Sequence, residues 1–199
     1  MVGVRRFDRE AVLDRAAQLF WREGYESASI EDLERVTGLG RGSLYNTFGD
    51  KEALFLAALG RYSETEGAFV LSHLDAPDVF DGLDRCLRDM IERLETPGRP
   101  RGCLVTNSCL TAGEAGAVEA RVSAILHAME AALATAFRRA LHEGQIAPET
   151  DVRALARFYC AIFQSLGVMH RAMAQRATLE DIVAVALQAW PGRKPATGA

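Results

Sequence analysis

The sequence predicts an all-α protein: a small N-terminal domain built on a helix-turn-helix and a larger helical bundle, with about nine helices. Apolar residues recur at helical spacing along most of the chain, and we find no convincing strand alternation or internal repeat. Clusters of glycine and proline separate the periodic segments. Apolar residues are 49% of the 199 residues and charged residues 25%, so the chain can bury a sizeable core.

The predicted N-terminal domain spans residues 1–50 and begins with two helices that carry start and stop signals. Asp8 can cap the first helix, and Gly24 ends it as a glycine just past the last turn. Ser29 can cap the second helix, with Asp32 at the third helical position as a shorter-armed capping box. Each helix has one apolar side, so the two are expected to share a core.

A third predicted helix runs from about Arg41 to Phe48, after a break at 38–40 that contains two glycines. Two helices joined by so short a turn have the spacing of a helix-turn-helix. At about 100° per residue, Leu44 and Phe48 lie together and are expected to face the core. The remaining surface is small and polar, with Gly42, Ser43 and Asn46 opposite the core and Tyr45 and Thr47 on the flanks.

This polar surface favours close contact with another molecule, because Lys and Glu would be more usual on a solvated helix. Hydroxyl and amide groups can bond to phosphates or to base edges. Arg41 and Lys51, at the starts of the third and fourth helices, are each placed to meet a phosphate. The spacing therefore predicts a DNA-reading helix-turn-helix, and a plain helical hairpin is the alternative.

The overall charge gives this interpretation no support. The formal net charge is −4, and residues 1–52 contain eight basic and ten acidic side chains. DNA binding must therefore depend on where individual charges lie and on backbone N–H groups.

The second predicted domain spans residues 51–190 and is followed by a disordered tail, 191–199. Asp50 and Asp78 can cap its first two helices, and Thr178 is predicted to cap the last. The helix at about 151–174 is apolar on more than one side, so it is expected to be buried both in its own domain and against a partner. The predicted helices are about 51–74, 78–94, 103–111, 118–143, 151–174 and 178–190.

Several runs resemble the signature of the tetracycline-repressor (TetR) family: 44–55 (LYNTFGDKEALF), 38–43 (GLGRGS), 29–33 (SIEDL) and Gly24-Tyr25. The resemblance is ungapped over about residues 8–60. It implies that the domain binds operator DNA, with phosphates held by Tyr45 and Lys51 and bases nearest Ser43, Asn46 and Thr47. It also implies that Arg41 faces DNA and that Ser29 lies near a phosphate.

Two positions depart from the family pattern. Thr47 stands where many members have His, and Gly40 replaces a frequent Ser or Thr cap. Both departures leave the docking intact and the operator sequence open.

The resemblance further implies a homodimer formed by the eighth and ninth helices and an effector pocket enclosed by the fourth to eighth. It implies a repressor that a small molecule releases from a pseudo-palindromic operator. A mainly apolar lining with an occasional amide or hydroxyl favours a hydrophobic or aromatic effector. Candidate lining residues, most of which are expected to be ordinary core, are Phe69, Leu87, Met90, Cys103, Asn107, Met129, Phe163 and Met169.

Cys103 has two interpretations. It begins a short helix just after Arg99 and Arg101, a setting that favours the reactive thiolate. The sequence Gly-Cys-Leu is also similar to a subset of the family, some of whose members respond to electrophiles. The alternative, which we favour, is a small apolar residue that fills the start of the helix. The four cysteines show no CxxC pair or metal-ligand spacing, so reduced thiols and no metal or cofactor are expected.

Other classes of function have little support. The sequence contains no nucleophile elbow, phosphate loop, HExxH or ExxH carboxylate pair, so an enzyme is not expected. A helical carrier or interaction module that retains the N-terminal fold is the second alternative. The chain start has no apolar signal-peptide core, and the apolar stretches are too short for a bilayer, which predicts a cytoplasmic protein without membrane contact.

Overall fold

The computed structural model describes residues 7–111 and 116–192, and only the backbone at 69, 70, 110 and 111. Within these ranges every regular element is a helix, which confirms the predicted fold class. The helices are α1 (Arg9–Glu23), α2 (Ile30–Thr37), α3 (Arg41–Phe48), α4 (Lys51–Tyr62), α5 (Ala68–Leu71), α6 (Val79–Leu94), α7 (Leu104–Thr111), α8 (Ala117–His142), α9 (Val152–Met173) and α10 (Arg176–Gln188).

The N-terminal helices begin and end where the sequence signals predict. The Asp8 carboxylate accepts hydrogen bonds from the second and third backbone N–H groups of α1, at 3.0 and 3.2 Å. Ser29 and Asp32 form the capping box: the Asp32 N–H donates to Ser29 Oγ at 3.1 Å, and the Ser29 N–H donates to Asp32 Oδ2 at 3.4 Å. Gly38 ends α2 at φ +72°, a left-handed conformation that favours glycine.

The buried side chains form two clusters. The N-terminal cluster joins α1, α2 and α3 to α4 as far as Leu59. It also includes Leu104 and Val105 of α7 and Val122 of α8. The predicted boundary at residue 50 falls at the cap of α4, but the buried cluster continues past it, so α4 packs in both parts of the molecule.

The C-terminal cluster lies between α6, α8, α9 and α10. Phe137 and Tyr159 pack edge to face at 5.7 Å, and Trp190 lies 5.3 Å from Phe137. The Tyr159 hydroxyl donates to the Ala186 carbonyl at 2.9 Å, which satisfies a buried polar group. This cluster fixes α9 and α10 relative to each other.

The predicted helix 51–74 is interrupted. A π-helical turn at Ser63–Gly67 follows α4. After α5, this helical run ends in a 3-10 turn at Ser72–Asp75. The Thr65 hydroxyl donates to the carbonyls of Arg61 and Tyr62 at 3.0 and 3.3 Å, which competes with regular helical bonding there. Counted as one helical run, 51–75 brings the number of helices in the described part of the chain to the predicted nine.

The predicted Thr178 cap is wrong. α10 begins at Arg176, and the Thr178 N–H donates to the backbone carbonyl of Gln175 at 3.1 Å inside the first turn. The Arg176 guanidinium bonds Glu180 on the same helix and Glu92 on α6, which anchors the earlier start. Of the predicted tail, residues 193–199 lie outside the described part of the chain.

No helix among the described residues is long and apolar enough to cross a membrane.

Candidate nucleic-acid interface and internal cavity

Helix α3 has one buried side and one exposed polar side. Leu44 is 3% exposed, and Phe48 packs against the N-terminal cluster, as predicted. Ser43 and Asn46 are exposed. Thr47 is half-buried, and its hydroxyl donates to the Ser43 carbonyl at 2.7 Å, so only its oxygen lone pairs are left for a ligand.

Tyr45 lies beside this polar side. It is half-buried and is not part of the N-terminal cluster as the structure describes it, so its ring is not a core aromatic. The Arg41 guanidinium lies 5.4 Å from the centre of the Tyr45 ring, a cation–π contact that holds both side chains at one end of α3. Arg41 and Tyr45 thus form one polar, positively charged surface.

Lys51 lies at the start of α4 and is held in place. Its ammonium group donates to the Glu26 carbonyl at 3.2 Å and lies 4.7 Å from the centre of the Tyr25 ring. The Asp50 carboxylate caps the same helix end through the Ala53 N–H at 2.7 Å. These contacts place the ammonium group of Lys51 next to Tyr25 and Glu26 at the start of α4.

Glu34 supplies a cap that the sequence analysis missed. Gly40 has no side chain to cap α3, and the Glu34 carboxylate of α2 accepts the Arg41 N–H instead. The departure from the family pattern at Gly40 is thus compensated by a residue of the preceding helix. A carboxylate six residues before a glycine cap is too general a pattern to have revealed it.

Replacing Glu34 with alanine should lower the stability of the N-terminal domain by about 1 kcal/mol, the usual effect of losing a helix cap. For a chain of this size, the thermal midpoint should fall by roughly 2–4 °C. Glu34→Gln keeps an acceptor oxygen and should lose clearly less. Equal midpoints for the wild type and Glu34→Ala would show that the cap contributes nothing.

Two more residues bear on this surface. The Ser29 hydroxyl donates to Asp32 Oδ2 at 2.6 Å, and this bond, with that from Arg35, lowers the pKa of the Asp32 carboxyl. The predicted phosphate contact of Ser29 must therefore share a hydroxyl already used in the capping box. Arg9, which the sequence analysis did not single out, lies 5.3 Å over the Phe48 ring and adds a cation beside α3.

A cavity of about 210 Å³ lies where the two parts of the molecule meet. It is bounded by the end of α4 and its π turn, by α6, α8 and α9, and by Trp21 of α1. Four residues predicted from inward helix stripes line it: Met90, Cys103, Met129 and Phe163.

The other predicted effector residues lie elsewhere. Leu87 is fully buried in the C-terminal cluster, and Met169 packs against that cluster. The Asn107 amide donates to the Arg101 carbonyl at 3.2 Å. None of these three is among the described residues that line the cavity. The side chain of Phe69 lies outside the described part of the chain.

The sequence analysis missed the polar lining of the cavity. Glu66 Oε2 accepts a hydrogen bond from Arg93 Nη1 at 2.7 Å and forms an ion pair with Arg99 Nη2 at 2.8 Å. The Gln164 side chain lies nearby and accepts from the Thr106 hydroxyl at 2.8 Å. These side chains come from four separate segments, so no periodicity along the chain could have grouped them.

Trp21 connects the cavity to the N-terminal helices. It is 3% exposed and packs edge to face on Tyr62 at 5.1 Å, and the Arg99 guanidinium lies 5.1 Å over its ring. Its indole N–H donates to the Arg101 carbonyl at 3.2 Å. A side chain of α1 thus forms part of the cavity wall.

Cys103 precedes α7 and is half-buried. Its carbonyl accepts the Asn107 N–H at 2.8 Å, and its sulfur lies 3.5 Å from the Tyr62 hydroxyl. The Arg99 guanidinium, expected beside the thiol, pairs with Glu66. The sensor interpretation of Cys103 stays a prediction. The described residues contain no cluster of His, Cys, Asp or Glu that could hold a metal ion.

Comparison with known proteins places these features in a family. Residues 12–58 match the model of bacterial regulatory proteins of the tetR family, and residues 80–186 match the tetracyclin repressor-like C-terminal domain. The HTH-type transcriptional repressor ComR of Escherichia coli K12 is 33% identical over 190 residues, which cover 93% of this chain and 90% of ComR. YezE, an uncharacterised HTH-type transcriptional regulator of Bacillus subtilis 168, is 32% identical over 189 residues, which cover 92% of this chain and 96% of YezE.

Solved structures agree with this assignment. A cysteine mutant of the TetR family transcriptional regulator CifR, complexed with a 26-base-pair double-strand operator DNA, superposes with a TM-score of 0.88 at 36% identity. The match covers 95% of this chain and 100% of that one. The relatives are transcriptional regulators and not enzymes, in agreement with the sequence analysis. The chain belongs to the TetR family of bacterial regulatory proteins.

Proposed function

We propose that this protein is a transcriptional repressor that binds a pseudo-palindromic operator as a homodimer and is released by a small-molecule effector. The exposed polar side of α3, flanked by Arg41 and Lys51, is the observation that carries the proposal. The repressor name of ComR and the operator complex of CifR support it. Because bacterial DNA lies in the cytoplasm, this function places the protein there.

The proposed docking puts α3 in the major groove. Ser43 and Asn46 are exposed and would reach base edges, while the Thr47 oxygen could accept from a base amino group. Tyr45 and Lys51 would hold phosphates on either side. Arg41 and Ser29 would lie nearby as supporting phosphate contacts.

The surface of α9 supports a two-fold dimer. Along one side of this helix the exposed residues carry no charge, and Phe158 and Val168 are 39% and 36% exposed. A solvated helix surface of this length normally carries charged residues. α10 adds Val185, which is 66% exposed. A dimer built on α9 and α10 would place two copies of α3 on successive half-sites, about 34–36 Å or a near multiple apart.

The cavity wall supports release by an effector. A ligand there would touch Trp21 of α1, Tyr62 of α4 and Cys103 at the start of α7. The two aromatic rings pack against each other, so a shift of one must move the other. A ligand that favours a different placement of Trp21 would change the orientation of α1, and with it that of α3, relative to the bundle.

A reporter gene behind the upstream region of the protein's own gene tests the proposal. The wild type should lower expression, and Asn46→Ala should restore most of it, because each half-site loses a base contact worth about 1–3 kcal/mol. Arg138→Ala on α8, which also removes an exposed polar side chain, is the control and should repress normally. Unchanged expression with the wild type would contradict DNA-dependent control, and raised expression would make the protein an activator.

A further inference from the structure

The cavity has a mostly apolar wall and one charged end with more positive than negative groups. We infer that the effector is a small organic acid, with an apolar body of about one ring and one anionic group that binds Arg93 and Arg99. This inference rests on the proposed function, because it names the chemical class of the effector.

The charges at this end do not balance. One carboxylate oxygen, Glu66 Oε2, is shared by the guanidinium groups of Arg93 and Arg99 at 2.7 and 2.8 Å. The side chains of the three residues are 29%, 26% and 16% exposed, respectively. Glu66 is the one acidic residue among the described lining residues, so the described part of the lining carries one excess positive charge.

Tyr62 and Trp21, which lie beside these arginines in the wall, carry no negative charge. Burial raises the pKa of the Tyr62 phenol well above its ordinary value, so Tyr62 stays neutral. The Trp21 ring under Arg99 attracts the cation but carries no negative charge. An incoming carboxylate can accept hydrogen bonds from both guanidinium groups. The planar set of N–H donors on a guanidinium matches the geometry of a carboxylate.

The remaining wall selects an apolar body of limited size. The cavity of about 210 Å³ is larger than the roughly 150 Å³ cavity known to admit benzene, and smaller than the roughly 300 Å³ at which drug-sized sites begin. A single aromatic ring or a short alkyl chain therefore fits. The apolar end is formed by Leu71, Met90, Val105, Ile125, Met129 and Phe163.

The π turn at Ser63–Gly67 forms part of this charged end. Tyr62 and three residues of the turn, Ser63, Glu66 and Gly67, line the cavity. Single π turns inside α-helices occur often at functional sites. Since Arg99 also stacks on Trp21, an anion that draws Arg99 away from Glu66 would act directly on α1.

Matched acids and amides test the inference on the full-length protein. The thermal midpoint of the protein is measured with benzoate, phenylacetate or hexanoate at about 10 mM, and with the primary amide of each acid at the same concentration. At least one acid should stabilise the protein, with an affinity at least about tenfold higher than that of its amide. Arg93→Gln and Arg99→Gln should lower acid affinity at least about tenfold and leave amide affinity unchanged.

Glu66→Gln is the sharpest variant, because it removes the competing carboxylate and keeps the size of the side chain. Acid affinity should rise in this variant. A fall in acid affinity in Glu66→Gln overturns the inference. Acids and amides that have equal effects on the protein, or no effect at all, overturn it as well. The midpoint of each variant without ligand reports its folding separately.

A second readout separates the two proposals. The fluorescence anisotropy of labelled operator DNA is followed while the acid is added. Acid binding that releases the DNA supports both proposals. Acid binding without release supports the acid site and contradicts the effector role. DNA binding that persists while acids and amides behave alike overturns the acid site and leaves operator binding intact.

Discussion

Replacing both Tyr45 and Lys51 with alanine should weaken binding to every DNA sequence by roughly 1000-fold. Each residue is expected to hold one phosphate in each half-site, so the dimer loses four contacts of about 1 kcal/mol each. Lys51→Ala alone should also reduce the salt dependence, by about one unit in the slope of log K against log salt per half-site. The ammonium group of Lys51 lies at the start of α4, where it contacts a carbonyl and an aromatic ring.

Fluorescence anisotropy against salt concentration measures both effects. Arg138→Ala on α8 is the matched control and should change neither affinity nor slope. Wild-type affinity in the Tyr45/Lys51 double variant would show that DNA is bound by some other surface. A slope unchanged by Lys51→Ala would show that its ammonium group meets no phosphate.

Placing glutamate at both Phe158 and Val168 should split the dimer and lower operator affinity by roughly 100- to 10,000-fold. The two side chains are already partly exposed in one chain, so the fold of the monomer should survive. In a two-fold interface, however, four unpaired carboxylates would be buried, each at a cost of several kcal/mol. A monomer then binds a single half-site and loses the gain from linked binding.

Sedimentation velocity at about 10 µM, with operator binding in parallel, checks this result. Thr135→Glu places one similar charge on an exposed position of α8 and should leave both measurements unchanged. If the double variant is still a dimer and binds the operator with wild-type affinity, the dimer interface lies elsewhere on the protein. A wild-type protein that sediments as a stable monomer would contradict the dimer altogether.

The features that the sequence predicted are those with local signals. Asp8, Ser29 and Asp32 act within three residues of the backbone groups they cap, so their roles can be identified from the chain alone. The two sides of α3 follow from the helical repeat, because Leu44 and Phe48 are one turn apart. The π turn after α4 departs from this repeat, and the predicted helix 51–74 did not anticipate it.

The cavity was predicted only in part because its polar groups are far apart along the chain. Glu66 and Arg93 are separated by 27 residues, and Trp21 bonds a carbonyl 80 residues away. Met90 and Met129 were found because they lie on inward helix stripes, but the same rule also selected Leu87, which packs in the core. Helical periodicity indicates that a side chain faces inward. It does not indicate whether that side chain lines a cavity or packs against another side chain.

The most direct test of the central claim is a gel shift with DNA from the region upstream of the protein's own gene. The wild type should form one discrete complex that excess unlabelled specific DNA displaces and shuffled DNA of the same composition does not. Asn46→Ala should lose this preference while keeping the weaker binding to both DNAs, because its phosphate contacts remain. Failure to form a complex, or a complex that shuffled DNA displaces equally well, would contradict sequence-specific binding through α3.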